Sequence, residues 1–332
     1  MGTASAPGQP SRVTIRDFQP EDFPATVEIS NLLYPDNPTT IARERFEWEH
    51  FDTKRYARHR YVAVNPSGAV VADAGFNHMP HAFHPQRFGI WIGVHPRLQR
   101  TGVGTALYEH LLEELTSLDA IALRAWTRET MTEAAAWLGR RGFKELQRGW
   151  ESHLDLGSFD PAKFADRWSL PRDIAVVTLA EELAWDPEAV RTLYELDCDL
   201  APDMPRIDPF TPPTFEVYRD WVLKSPGSEP EAIFVAKDAD RYVALTELFR
   251  NDALPGVLNT GLTGVRREYR GRGLAFALKL RALDWAKRHE YGEVRTFNST
   301  LNAPMLGINV KLGFVKQPPW ITFGKDLVEA PA

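Results

Sequence analysis

A constant spacing of 171 residues relates landmarks in the two halves of this 332-residue chain. It separates Val94 from Val265, Gly102 from Gly273, Arg124 from Arg295, Gly142 from Gly313, Phe143 from Phe314, Asp155 from Asp326 and Leu156 from Leu327. One offset held across so many positions means that a domain has been duplicated, with no net insertion between the first landmark and the last. The earliest strands, at Val13 and Ile174, fall out of step, so the length differences lie in the early helices and loops. Two domains also suit the chain length. The boundaries expected are 12–156 and 174–328. Residues 157–173, with Asp160-Pro161 and Leu170-Pro171, read as a linker, and 1–11 as a disordered tail.

Each half alternates strand and helix patterns in the same order. In the first, a strand (Val13–Arg16) precedes helices at Glu21–Leu33 and Thr39–His50, a hairpin (Arg60–Val64, Val70–Phe76), an apolar strand (Phe88–Val94), a helix (Gly102–Leu115), a strand (Ala120–Trp126), a helix (Glu129–Arg141) and a last strand (Trp150–Leu156). In the second, the matching elements are Ile174–Leu179, Asp186–Asp197, Pro213–Leu223, Ala232–Ala236, Arg241–Leu248, Val257–Val265, the helix after Gly273, Glu293–Phe297, Asn302–Leu312 and Ile321–Leu327. This predicts a mixed α/β (α+β) fold.

The apolar strand of each half runs into a glycine-rich turn and then a long helix. The turns read Gln99-Arg100-Thr101-Gly102-Val103-Gly104-Thr105 and Arg270-Gly271-Arg272-Gly273-Leu274-Ala275. A strand-to-helix turn of this kind presents unpaired backbone N–H groups at a helix N-terminus, where the dipole favours an anion. Glycine lets the backbone approach that anion closely, and arginine adds charge. The turns lack the spacing of a dinucleotide fingerprint or a nucleotide P-loop.

With Val94 and Val265 closing the strands, and with a later helix ending in Gly142-Phe143 or Gly313-Phe314, each half resembles the acyl-CoA-binding domain of the GNAT superfamily of N-acetyltransferases. The whole is similar to tandem, two-domain members of the mycothiol-synthase type. The resemblance implies two GNAT domains whose sheets splay after the turn strand, with acetyl-CoA as cofactor. It assigns cofactor binding to Val94, Gln99, Arg100, Thr101, Gly102, Val103, Gly104 and Thr105 in the first half. In the second it assigns Val265, Arg270, Gly271, Arg272, Gly273, Leu274, Ala275 and Asn302. The backbone at Gly93–Val94 and Gly264–Val265 would receive the pantetheine and the acetyl carbonyl.

An amine acceptor is mostly protonated at neutral pH, so the site must take up a proton. The family often keeps a tyrosine acid four residues before the Gly of Gly-Phe; here those positions are Leu138 and Asn309. Glu247 is the candidate base of the second half, Asn309 a second catalytic candidate able to hold a water or the pantetheine, and Asp73 is the corresponding type of candidate base in the first half. Asp197, Asp199, Asp203 and Asp208 lie in a proline-rich stretch able to attract a cationic amine. The second half, with its arginines and asparagines, is expected to be the catalytic one. The favoured activity is acetyl transfer to the primary amine of a small molecule, by direct attack in a ternary complex. Alternatives are a protein N-terminal or lysine acetyltransferase, and a non-catalytic acyl-CoA-binding protein. His78, His81 and His84 share no fixed face and no metal is expected; Trp126, Trp137 and Trp150 read as packing residues.

A mild net charge of −6 argues against a general nucleic-acid or membrane-surface role. No apolar run is long enough to span a bilayer and the N-terminus has no signal-peptide pattern. The single cysteine, Cys198, allows no intrachain disulfide, as in a cytoplasmic protein.

Overall fold

The computed structural model describes residues 13–328; the tail expected at 1–11 lies outside them. The first series of elements is β1 (Thr14–Asp17), α1 (Phe23–Leu33), α2 (Ile41–Glu49), β2 (Arg58–Val64), β3 (Val70–Asn77), β4 (Arg87–Val94), α3 (Val103–Ser117), β5 (Ala122–Arg128), α4 (Thr132–Arg140) and β6 (Lys144–Asp155). The second is β7 (Ile174–Thr178), α5 (Leu179–Leu183), α6 (Ala189–Leu200), α7 (Phe215–Lys224), β8 (Ile233–Asp238), β9 (Arg241–Arg250), β10 (Val257–Val265), α8 (Leu274–Arg288), β11 (Glu293–Ser299), α9 (Ala303–Leu312), β12 (Val315–Lys316) and β13 (Trp320–Asp326). The pattern missed α5, a single short helix started by a capping box in which Thr178 and Glu181 satisfy each other's backbone N–H.

The chain forms two compact units, and they do not coincide with the two halves of the sequence. Of the described residues, unit 1 holds 13–126, 136–145 and 322–328, and unit 2 holds 127–135 and 146–321. In unit 1 the strand order is β1-β2-β3-β4-β5-β13, so the last strand of the chain completes a sheet built by its first half. In unit 2 the order is β6-β11-β10-β9-β8-β7. There β6 pairs antiparallel with β11, from Glu293 opposite Asp155 to Ser299 opposite Gly149. Each half thus contributes its final strand to the other unit. A duplicated domain makes this exchange inexpensive, because both copies offer the same hydrogen-bonding edge.

Residues 157–173 do not behave as a free linker. A 3₁₀ stretch spans Pro161–Arg167, Phe159 is buried, and Phe164, Trp168 and Leu170 pack on the core of unit 2. These apolar side chains outweigh the two prolines that suggested a linker.

In both units the strands from the first to the turn strand pair antiparallel, and the turn strand meets its next neighbour in parallel. β4 pairs with β5 only from Arg87 to Gly89, and β10 with β11 only from Val257 to Asn259. Beyond those three pairs the strands part, leaving one backbone edge of β4 and of β10 unpaired toward the turn. The units differ in one respect. Across β9 and β10, Thr260 faces Leu248 but Thr263 faces Thr246, so β10 carries one extra residue, a β-bulge at Gly261–Leu262. The β3–β4 pair is regular from Ala72 opposite Val94 to Asn77 opposite Gly89. The bulge also breaks the repeat: Leu123 and Val294 stand 171 apart, whereas their partners Phe88 and Leu258 stand 170 apart.

Candidate functional site

Both turns have the backbone shape their glycines suggest. Gly102 (φ 92°) and Gly273 (φ 81°) cap α3 and α8 in the left-handed conformation. Two residues earlier Gly271 (φ 77°) repeats that conformation, and in unit 1 the same place is taken by Arg100 (φ 66°). A side chain there costs about 1–2 kcal/mol, which glycine avoids. A Cβ built on Gly102, Gly271 or Gly273 meets nothing within 4 Å. The space in front of each helix is therefore open, and the first-turn N–H groups of Val103 and Gly104, and of Leu274 and Ala275, have no carbonyl partner within their helices.

The polar side chains of the turns hold the protein together. Gln99 and Arg270 donate to the carbonyls of Val94 and Val265 at 3.2 and 3.0 Å, tying each turn to its strand end. Thr101 Oγ1 donates to the Leu98 carbonyl at 2.7 Å, and Thr105 Oγ1 accepts from Arg141 at 2.8 Å. In unit 2 the arginines are paired: Arg272 with Asp173 at 2.6 Å, and both Arg267 and Arg270 with Asp203, whose carboxyl they hold down at about 2. Arg266 pairs with Asp199. Asp199 and Asp203, expected to attract an amine, are thus bound to the arginines of the turn.

Glu247 points into the α6–α7 side of the β9–β10 pair and is 5% exposed. The bulge makes room for it. Its Oε2 accepts from the Leu262 N–H at 2.7 Å, and a Cβ on Gly261 would collide with the same oxygen. Burial pushes this carboxyl up to about 8, the Asp197 charge adds to the rise, and the Leu262 N–H opposes it. Asp197 is itself raised by burial to about 6, with Arg206 pulling the other way. The Tyr218 hydroxyl of α7 is buried without a hydrogen-bond partner, and burial, Glu247 and Asp197 push it well above the usual phenol range. Sequence reasoning missed Tyr218, which carries no motif.

Unit 1 fills the corresponding space with protein. Asp73 faces Gly93 as Leu245 faces Gly264, so the match to Glu247 is Gly75, two residues on from Asp73. The Trp91 indole lies where a Gly75 Cβ would be. Asp73 accepts from Trp91 Nε1 at 3.1 Å and from Arg60 at 3.2 Å, while Arg60 also reaches Glu44 at 3.1 Å. Asp73 is therefore the centre of a closed network and not a second Glu247.

The remaining candidates have structural partners. Asn302 caps α9, its side chain accepting from the Met305 N–H at 3.3 Å. Asn309 is 2% exposed; its Nδ2 donates to Asn298 at 2.7 Å, and its Oδ1 is buried without a partner. Leu138 is a buried residue of unit 1. His78 is a packed core histidine: Nδ1 accepts from the Ala57 N–H, Nε2 donates to the Pro85 carbonyl, and the ring stacks on Phe88. Among the described residues no group of three His, Cys, Asp or Glu is placed to hold a metal ion, and no helix is long and apolar enough to cross a membrane. Trp137 packs between Tyr108 and Arg141, and Lys316 lies over Trp150. Trp126 is more exposed than expected, 44%, with its ring over Gly89.

The profile of the acetyltransferase (GNAT) family matches residues 21–143 and again 190–314. The chain belongs to the GNAT acetyltransferase family. Solved structures share the fold over nearly the full length. A tandem GNAT protein from the clavulanic acid biosynthesis pathway is 21% identical, with a TM-score of 0.73 over 96% of this chain and 100% of its own. A GCN5-related N-acetyltransferase from Sphaerobacter thermophilus is 20% identical, with a TM-score of 0.70 over 96% of this chain and 97% of its own. No curated protein matches the chain significantly. These likenesses establish tandem GNAT domains and an acyltransferase family; both sequence copies have the glycine turn, but among the described residues the turn strand is bulged in unit 2, where Glu247 lies against the bulge, and regular in unit 1.

Proposed function

We propose that this protein transfers the acetyl group of acetyl-CoA to the primary amine of a small molecule, in unit 2, by direct attack while both substrates are bound. Glu247 carries the reading. It is a buried carboxyl of β9 held near 8 and bound to the Leu262 N–H at the bulge of β10, the strand that runs into the α8 turn. A base is most effective when its pKa lies near the working pH.

The residues present fit the cofactor. The open first turn of α8, with Gly271 and Gly273, suits a pyrophosphate, and the free edge of β10 up to Val265 suits the pantetheine amides as an added strand. Bound acetyl-CoA supplies the activated acyl carbon. Glu247 takes the proton of the incoming ammonium. A Val265 backbone N–H is suited to stabilising charge on the acyl oxygen. Asn309, with its unpartnered Oδ1, can hold a water or a pantetheine amide but has no proton to give as an acid. Unit 1 keeps the turn but has Gly75 and a filled site, so we read it as non-catalytic. The free thiol of Cys198 suits a reducing, cytoplasmic setting.

The test is thiol release from acetyl-CoA with a panel of amines. Glu247→Gln should lower kcat/KM at pH 7 by about 10²–10⁴-fold, and the mutant should lose the rise in rate that wild type shows as pH climbs through about 8. An unimpaired Glu247→Gln enzyme would refute the assignment.

A further inference from the structure

The turn of unit 2 differs from that of unit 1 in its arginines. Arg266, Arg267, Arg270 and Arg272 stand where the repeat places His95, Pro96, Gln99 and Thr101 in the first half. Each of the four is paired with a carboxylate from the stretch 173–203 of the same unit. Asp203 ends a 3₁₀ turn, Ala201–Asp203, that continues α6, and it takes two of them. Arg267 gives it one whole edge of the guanidinium, Nε donating to Oδ2 at 3.2 Å and Nη2 to Oδ1. Arg270 divides the same edge, with Nε on the Val265 carbonyl at 3.0 Å and Nη2 on Asp203. Arg272 gives Nη2 to both oxygens of Asp173, at 2.7 and 2.6 Å. The end of α6 also leans on β10: Leu200 packs on Gly264, its Cδ1 2.9 Å from where a Cβ would be. Further along, the Tyr194 hydroxyl of α6 donates to the Pro213 carbonyl at 2.8 Å. Residues 201–213, which join α6 to α7, are therefore pinned at one end to the α8 turn and at the other to α6.

We propose that Asp203 competes with the phosphates of acetyl-CoA for Arg270 and Arg267, so that cofactor binding unlatches residues 201–213 on the α6–α7 side of unit 2; this rests on the reading of the α8 turn as the cofactor site. One edge of a guanidinium forks onto one carboxylate or one phosphate, not both. Arg270 and Arg272 flank Gly271, so an anion at the first turn of α8 arrives beside edges that carboxylates already hold. A pyrophosphate carries more charge than a single carboxylate, and Arg267 and Arg270 are well exposed, where ion pairs are weak and readily exchanged. The coupling is reciprocal: the contact that closes the loop weakens the cofactor, and the cofactor loosens the loop. Asp203 acts through the arginines and is a positioning residue. In unit 1 the matching tie from turn to strand end is made by Gln99, a neutral side chain.

Binding and hydrogen exchange test the latch together. In titration calorimetry Asp203→Asn should bind acetyl-CoA about tenfold more tightly than wild type. Glu268→Gln is an equal charge change beside the same turn, at a carboxylate held by Arg241 at 2.7 Å. It should alter the affinity by less than about twofold. In hydrogen-exchange mass spectrometry of wild type, acetyl-CoA should quicken exchange of the 201–213 amides while slowing it at the α8 turn. Asp203→Asn should show the quickened exchange from the outset, with little further change on adding acetyl-CoA. A merely structural Asp203 would loosen the loop when replaced but would not tighten the cofactor. Weaker or unchanged affinity in Asp203→Asn, an equal gain in Glu268→Gln, or protection of 201–213 by acetyl-CoA overturns the proposal. If wild type binds no acetyl-CoA, the cofactor reading fails, yet sodium pyrophosphate in the same exchange experiment still decides the latch: quickened exchange of 201–213 supports it, and an unmoved loop overturns it.

Discussion

At the scale of single residues, burial dominates the ionisable groups that matter. Glu247 and Lys279 are both enclosed, and burial moves them in opposite directions, up to about 8 for the carboxyl and down to about 8 for the ammonium. Glu247 sits at the bulge of β10, with its carboxyl bound to the Leu262 N–H. Lys279 of α8 is 3% exposed and faces the Phe314 ring at 5.5 Å, with no ion-pair partner among the described residues. The lysine has the properties of a stability cost. Its folded pKa lies below its unfolded value, so the unfolded chain binds the extra proton between about pH 8 and 10.5, and stability contributed by this group rises with pH across that window. Lys279→Met, close in shape and uncharged, should therefore raise the urea midpoint at pH 7 and remove most of the gain seen between pH 8 and 10.5. A midpoint lowered at pH 7 would mean that the ammonium has a partner or a role.

At the scale of elements, the strand-turn-helix pieces β4–α3 and β10–α8 are built alike and specialised differently. Both depend on two left-handed residues, and in β10–α8 both are glycine. Gly273→Val would put a branched side chain at φ 81°, into the open space before the helix. The expected result in titration calorimetry is a loss of acetyl-CoA affinity at unit 2 of tenfold or more, about 1.4 kcal/mol. Unchanged affinity would remove the α8 turn from the cofactor site. The bulge in β10 separates the two pieces functionally: the extra residue opens the pocket for Glu247, whereas the regular β4 brings Trp91 over Gly75.

At the scale of the molecule, each compact unit needs a strand from the distant part of the sequence. Unit 1 takes from β13 the Lys325 ammonium, which donates to the buried Tyr108 hydroxyl at 3.0 Å. Just past that strand, the Leu327 N–H donates to the Ile121 carbonyl at 2.8 Å and ties the end of the chain to the start of β5. Unit 2 likewise depends on β6, whose pairing with β11 carries Leu154 into its core. A fragment of residues 1–156 should therefore fail to fold alone, while co-expression with 157–332 should recover a stable complex. Cooperative thermal unfolding of the isolated 1–156 fragment would contradict this, because it would show a domain complete within the first half.

Spacing and residue type alone were enough to reveal the duplication, the order of the longer strands and helices and the two glycine turns; the short α5 and β12 were not foreseen. The legible features depend on local periodicity and the φ preferences of glycine, which act between near neighbours in the chain. Glu247 was legible as a carboxylate on the strand before the turn strand, but not its company. Asp197 and Tyr218 influence it only because α6 packs on β9 and β10 and α7 packs on α6, and nothing in their local sequence records that arrangement. The bulge at Gly261–Leu262 changes the repeat spacing by a single residue and is visible only as a register shift between paired strands. The exchange of β6 and β13 was undecidable from the sequence for a physical reason. Two copies of one domain present equivalent strand edges, so only the tertiary structure selects which copy each final strand joins. The arginines of the second turn show the same limit: their charge was plain in the sequence, while their pairing with Asp173 and Asp203 depended on segments far away in the chain folding back beside them.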